Sequence, residues 1–237
     1  MPRARRIVSC FLSAVIVSTA AVSAQIGVSN SSWRVNAPAR SLKDLRDQRV
    51  VKQRFDFSCG AAALATILRY GLGAMTTERE LLVDLFGLLS DDERGVVGKT
   101  GFSLLHLQRV AQARGYSAEG FKIAPEELRL LSGPVLVFIE PRGYKHFAVL
   151  RGIDGDRVVL ADPSRGNIRI RLDTFLKSWL QADGTGIIFV VESPGARADG
   201  KSVLHLAGSG RELPEIMAAR ELLSIGNTLV GPAQFPR

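Results

Sequence analysis

The chain has 237 residues, 46% of them hydrophobic and 23% charged, with a formal net charge of +8. That balance excludes a disordered chain and suits one domain with tails, or one domain plus a small appendage; two cysteines exclude a disulfide scaffold. No block of five or more like charges occurs, so charge alone does not make it a nucleic-acid binder.

Residues 1–24 read as an export signal. Arg3, Arg5 and Arg6 form a basic start, Ile7 to Val22 is apolar or small throughout, and Val22-Ser23-Ala24 offers cleavage after Ala24. The apolar run of about 16 residues is shorter than the roughly 20 that span a bilayer, so a retained anchor is the alternative. Cleavage removes three arginines, lowers the charge from +8 to +5, starts the mature chain at Gln25 and places it in the periplasm.

Residues 25–44 read as a loose N-terminal lead-in, polar and Pro-containing to Arg40, with a short helix starting after Ser41. A domain then runs over 45–192. Val50 to Gln53 is a short extended segment, and Gly60 to Tyr70 is a helix whose first turn begins at Cys59. Thr76 or Thr77 caps a helix carrying Leu81, Leu82, Leu85 and Phe86 on one side. Gly87 to Gly101 reads as a polar, Gly-rich loop, Phe102 to Arg114 as an amphipathic helix, and Pro125 opens a short helix. The second half predicts strands at Pro134–Glu140, Phe147–Arg151, Arg157–Ala161, Asn167–Arg171 and Gly186–Val191, with a helix over Asp173–Leu180 before the last. Helices first and a strand meander afterwards describe an α+β fold. Residues 193–237 form a C-terminal appendage whose one amphipathic helix is Leu213–Ile225.

With the signal removed, Cys59 has no partner for an intramolecular disulfide. Such a thiol is either core packing or a reactive group, and a helix N-terminus favours the thiolate. A nucleophilic thiol needs a base, a group to orient that base, and donors for an oxyanion. Of three histidines, His205 lies in the polar tail and His106 on a helix, where a surface or satisfied-core role is the better reading. His146 ends a Gly-containing turn and starts an apolar strand, a place where catalytic groups are displayed. A three-residue loop at Ile153-Asp154-Gly155 pairs Gly152 with Asp156 and sets His146 directly opposite Asp162, within reach to hold an imidazole tautomer. A slip of one residue puts the two on opposite faces. Gln53, six residues before Cys59, can donate its amide to an oxyanion beside the Cys59 N–H. One cysteine and scattered histidines give no zinc set, and no cofactor motif is present.

The ordered set Gln53, Cys59-Gly60, His146 and Asp162-Pro163, with Gly101-Phe-Ser-Leu-Leu-His-Leu and Gly133-Pro-Val-Leu-Val between, resembles the papain-like bacteriocin-processing cysteine peptidases that remove double-glycine leaders. The resemblance runs from about Leu45 to Val191. It implies a papain-like fold with Cys59 as nucleophile, His146 as general base, Asp162 as orienting group and Gln53 as oxyanion donor. Ser58 departs from the many members that place an acidic residue before the cysteine. Transporter-linked members work on the cytoplasmic side, whereas the signal here implies an exported relative. The implied substrate is a secreted peptide or fibre subunit of a bacteriocin, pilus or functional-amyloid system, and the implied partner is secretion machinery. A non-catalytic substrate-binding domain and a papain-like acyltransferase are the alternatives.

Overall fold

The computed structural model describes residues 25–30, 33–38, 41–194 and Leu204. The chain divides into a unit of residues 1–40 and a unit of residues 41–237. In the first, β1 (Gln25–Asn30) and β2 (Trp33–Pro38) form an antiparallel hairpin with Val28 opposite Val35. This corrects the expectation of a loose lead-in. Ile26 and Val28, then Trp33 and Val35, repeat with the strand period of two, a pattern masked by their polar neighbours.

The second unit begins with α1 (Leu42–Arg46), capped by Ser41, whose hydroxyl accepts from the Asp44 N–H at 3.0 Å. A 3-10 turn at Asp56–Ser58 feeds α2 (Cys59–Thr66), which is buried on every side and continues as a π turn over Ile67–Gly71. An Ala-rich helix suits that central place because small side chains let neighbours pack closely all round it. Then come α3 (Glu78–Leu88), α4 (Asp91–Thr100) and α5 (Leu104–Ala113).

The segment expected as a Gly-rich loop is thus largely α4. Its start is a capping box, in which Ser90 accepts from the Glu93 N–H and Glu93 accepts from the Ser90 N–H. Three acidic residues complement the first turn, Lys99 the last, and Gly101 stops the helix at φ 75°. Those end signals outweigh the cost of Gly95 and Gly98 inside.

Six strands build one antiparallel sheet: β3 (Ser117–Ile123), β4 (Val135–Ile139), β5 (His146–Asp154), β6 (Arg157–Asp162), β7 (Gly166–Arg171) and β8 (Gly186–Glu192). Their spatial order is β3-β8-β4-β5-β6-β7. The edge strand β3 has only Ala118 fully buried, so it lacks the alternation that would have marked it in the sequence. One core, including Leu64, Leu81, Leu107, Leu136, Phe147 and Val149, joins α2, α3 and α5 to the sheet. The other sets Phe175 and Trp179 of α6 (Leu172–Trp179) against Val137, Ala148 and Leu160. The sheet is therefore covered on both faces, and the start of α2 lies against β5.

No helix among the described residues is long and apolar enough to cross a membrane. The signal at 1–24, with Cys10, and the helix expected at 213–225 lie outside the described residues.

Candidate active site

Cys59 is the first residue of α2 and is 6% exposed. Its neighbour Gly60 explains how the helix start comes so near the sheet. A Cβ at Gly60 would stand 3.2 Å from side-chain atoms of both Leu107 and Phe147, tighter than ordinary van der Waals contact. Only glycine lets α2 close on β5 at the level where that strand begins. The strand begins at His146.

His146 lies between two of the groups singled out from the sequence. Its Nε2 is 3.2 Å from Asp162 Oδ1, an ion-pair distance rather than an aligned hydrogen bond, and its titration is linked to Cys59 as well. Asp162 is fully buried and heavily satisfied. Oδ1 accepts from the Ser164 N–H and hydroxyl, both at 2.8 Å, and from the Arg165 N–H at 3.0 Å, while Oδ2 accepts from Arg165 Nε at 2.9 Å. An aspartate turning its own loop in this way is fixed before any histidine meets it.

The electrostatics follow. Burial alone would depress the His146 pKa, but the Asp162 carboxylate and then Cys59 outweigh it and push it from 6.5 to about 9. Burial alone would raise Asp162; contacts with His146, Ser164 and Arg165 instead hold it well below the usual carboxylate range. The arrangement favours a protonated imidazole beside an ionised Asp162.

The register that brings His146 and Asp162 together differs from the one expected. Asp154 pairs with Arg157 across a two-residue turn, not Gly152 with Asp156 across a longer one. A bulge between Leu150 and Gly152 then shifts the register by one, and Val149 pairs with Ala161. Continued inward, this sets Asp162 opposite Ala148, so His146 is its diagonal and not its direct neighbour. The tighter turn shifts the ladder by an odd number of positions, and the bulge takes one back. The shift that remains is even, so the two side chains still share a face.

Gln53 is held beside this pair. Its backbone N–H donates to the Pro163 carbonyl at 3.1 Å, tying it to the Asp162 loop, and its Nε2 donates to the Phe55 carbonyl at 3.0 Å. Lys52 Nζ reinforces the tie by donating to the Ser164 carbonyl at 2.8 Å. His106 is elsewhere occupied: Nδ1 accepts from the Ser103 N–H, and Nε2 is 3.4 Å from Glu93. His205 lies outside the described residues. No group of three or more His, Cys, Asp or Glu among the described residues is arranged to hold a metal.

A groove of about 860 Å³ opens at Cys59. Phe57, Phe102, Leu104, Phe138, Phe147 and Ile187 make its apolar wall, and Gly143 and Tyr144 bound it on the turn before His146. The Tyr144 hydroxyl donates to the Asp56 carbonyl at 3.3 Å and so bridges the two loops that flank the thiol. Sequence reasoning did not single out Tyr144, Ser164 or Glu78. The Asp-Pro-Ser turn could have pointed to Ser164, but Glu78 looks like any acidic residue in a first helical turn.

A model of the Peptidase C39 family matches residues 47–193. A protein described as probable functional amyloid protease FapD, from Pseudomonas fluorescens, is 39% identical over 155 residues, 65% of this chain and 65% of that protein. Its counterpart in Pseudomonas aeruginosa is 38% identical over 156 residues, 66% of each. The chain thus covers just under two thirds of the length of these relatives. Among solved structures, a double glycine motif protease from an AMS/PCAT transporter, in complex with the leader peptide, is 26% identical. The likeness covers 61% of this chain and 90% of that one, with a TM-score of 0.49.

Proposed function

The chain belongs to the peptidase C39 family, papain-like cysteine peptidases, and on that premise we propose that it is an exported endopeptidase acting through Cys59, His146, Asp162 and Gln53. The observation that carries the reading is His146 3.2 Å from a saturated, buried Asp162, at the start of a strand against which the Cys59–Gly60 end of α2 packs. In the first half-reaction the Cys59 thiolate attacks the scissile carbonyl carbon, and the carbonyl electron pair moves to oxygen. The Cys59 N–H and the second amide hydrogen of Gln53 stabilise that oxyanion. Collapse expels the amine, which takes its proton from the His146 imidazolium, and leaves a thioester. In the second half-reaction water attacks the thioester while neutral His146 accepts its proton. The acid departs and the thiolate–imidazolium pair is restored. Asp162 orients the ring and stabilises its charge throughout.

The substrate is an exported peptide or protein handled by secretion machinery. The relatives described as functional amyloid proteases favour a system of that kind. Cleavage follows a pair of small residues, Gly-Gly or Gly-Ala, at the end of an amphipathic leader whose apolar face lies along the phenylalanine wall. Residues 1–24 carry the chain to the periplasm, whether cleaved or kept as an anchor. The deciding experiment compares the N-termini of exported proteins in cells carrying wild type and Cys59→Ala. The expected result is a new N-terminus, after two small residues, that the variant lacks. Identical N-termini in both strains would refute peptidase activity outside the cytoplasm.

A further inference from the structure

Glu78 is a carboxylate at the first position of α3, 4% exposed, and the catalytic scheme above makes no use of it. A buried carboxylate is costly unless its oxygens are hydrogen-bonded. Its partners all belong to the loop between Gln53 and Cys59. Oε1 accepts from the Arg54 N–H at 2.8 Å and stands 2.6 Å from the Ser58 hydroxyl. That hydroxyl is also 2.8 Å from the Phe55 carbonyl, so it donates to one of these acceptors at a time, and it accepts from the Phe55 N–H at 3.2 Å. The Phe55 carbonyl in turn accepts from Gln53 Nε2. A chain of contacts therefore runs from the Glu78 carboxylate through the Ser58 hydroxyl and the backbone of Phe55 to the amide of Gln53. Arg54 is one residue beyond Gln53, and Ser58 one residue before Cys59. The carboxylate grips the loop at both ends, next to each of the two proposed oxyanion donors.

We infer that Glu78 is a positioning residue that sets the spacing of the oxyanion donors, an inference that rests on the proposed roles of Cys59 and Gln53. Cys59 itself sits at the start of α2, off this path. Loss of Glu78 should therefore weaken oxyanion binding and leave thiol reactivity intact. That separation distinguishes positioning from a general contribution to folding, which would move both together.

The test uses two probes on the full chain. Iodoacetamide reports the Cys59 thiolate alone. A peptide aldehyde ending in glycyl-glycinal adds the thiolate to its carbonyl carbon and needs the oxyanion donors as well. For Glu78→Ala the expected result is aldehyde binding weakened by about tenfold or more, in line with loss of part of an oxyanion hole, with the alkylation rate within about twofold of wild type. Glu78→Gln keeps the acceptor oxygen and should restore most of the aldehyde affinity. Ser58→Ala cuts the same path without removing the carboxylate and should show the same split, which keeps the test open if Glu78→Ala does not fold. Equal aldehyde affinity in wild type and variants overturns the inference, as does a parallel fall of aldehyde affinity and alkylation. An aldehyde that fails to bind the wild-type protein overturns the peptidase reading, and this inference with it.

Discussion

At the scale of single residues, the triad geometry makes its members act as a unit. Cys59→Ala and His146→Ala should each remove peptide cleavage, and the double variant should be little worse than either, because one missing member already stops the cycle. Asp162→Asn should be milder than Asp162→Ala. An amide keeps one oxygen for the Ser164 and Arg165 donors and His146, while half-exposed Arg165 can swing away from the new NH₂. Relative kcat values in that order would be the check. The same contacts predict how stability varies with pH. His146 binds its proton more tightly folded than unfolded, so its contribution is whole below about 6.5 and disappears as pH rises through about 9. Asp162 is shifted the other way from 3.8, so its contribution is whole above that value and fades as pH falls below it. Thermal melts of the wild type should thus be highest between about pH 4 and 6.5. His146→Ala should flatten the alkaline side; an unchanged alkaline slope would mean the ring is not held as a cation.

At the scale of elements, the close approaches set by glycines are the most exposed to test. A Cβ at Gly186, where β8 begins, would overlap the indole of Trp179, whose Nε1 donates to the Ile187 carbonyl at 3.0 Å. Gly186→Ala should lower stability in urea by about 1–3 kcal/mol, the range for overpacking a filled core, and leave the thiol alkylation rate unchanged. Gly60→Ala should do the reverse, with a modest loss of stability and a larger fall in kcat, since it lifts Cys59 away from β5. How legible these elements were depends on how local their causes are. The Cys59 helix, α3, α5 and the five strands β4 to β8 declare themselves through spacing, caps and turn residues. Helix α4 was missed because two internal glycines drew attention from its capping box, and β3 because a half-covered edge strand needs few apolar residues. The β5–β6 register could not be counted from the sequence, since a bulge depends on what Arg151 meets in three dimensions. His146 and Asp162 do meet, and the Gln53 backbone is tied to the loop after Asp162. The path from Glu78 joins segments twenty residues apart and leaves no local pattern.

At the scale of the whole molecule, the segment after β8 is tied to the body by at least one residue. Leu204 is fully buried, and its carbonyl accepts from Arg151 Nε at 2.9 Å; the same guanidinium donates to Asn167 Oδ1 at 2.7 Å. Asn167 Nδ2 donates to the Arg46 and Gln48 carbonyls, so this chain of contacts reaches from α1 to Leu204. Truncation after Ser193 should therefore destabilise the second unit by about 1–3 kcal/mol, the cost of removing a partner from a buried donor, read as an earlier urea midpoint. A midpoint equal to that of the full chain would make Leu204 a passenger. The bulge at Arg151 also has a consequence for heredity. Loss of the codon for Arg151 removes the bulge and spares the Leu150–Leu160 and Gly152–Val159 pairs around it, so the hairpin can inherit that change with His146 and Asp162 still facing, at the expense of the tie to Leu204. Loss of the codon for Ala148, only three places away, turns His146 to the opposite face. A library of single-codon deletions across 146–162 should therefore record its tolerated gap at 151 and not in the run of apolar residues before it.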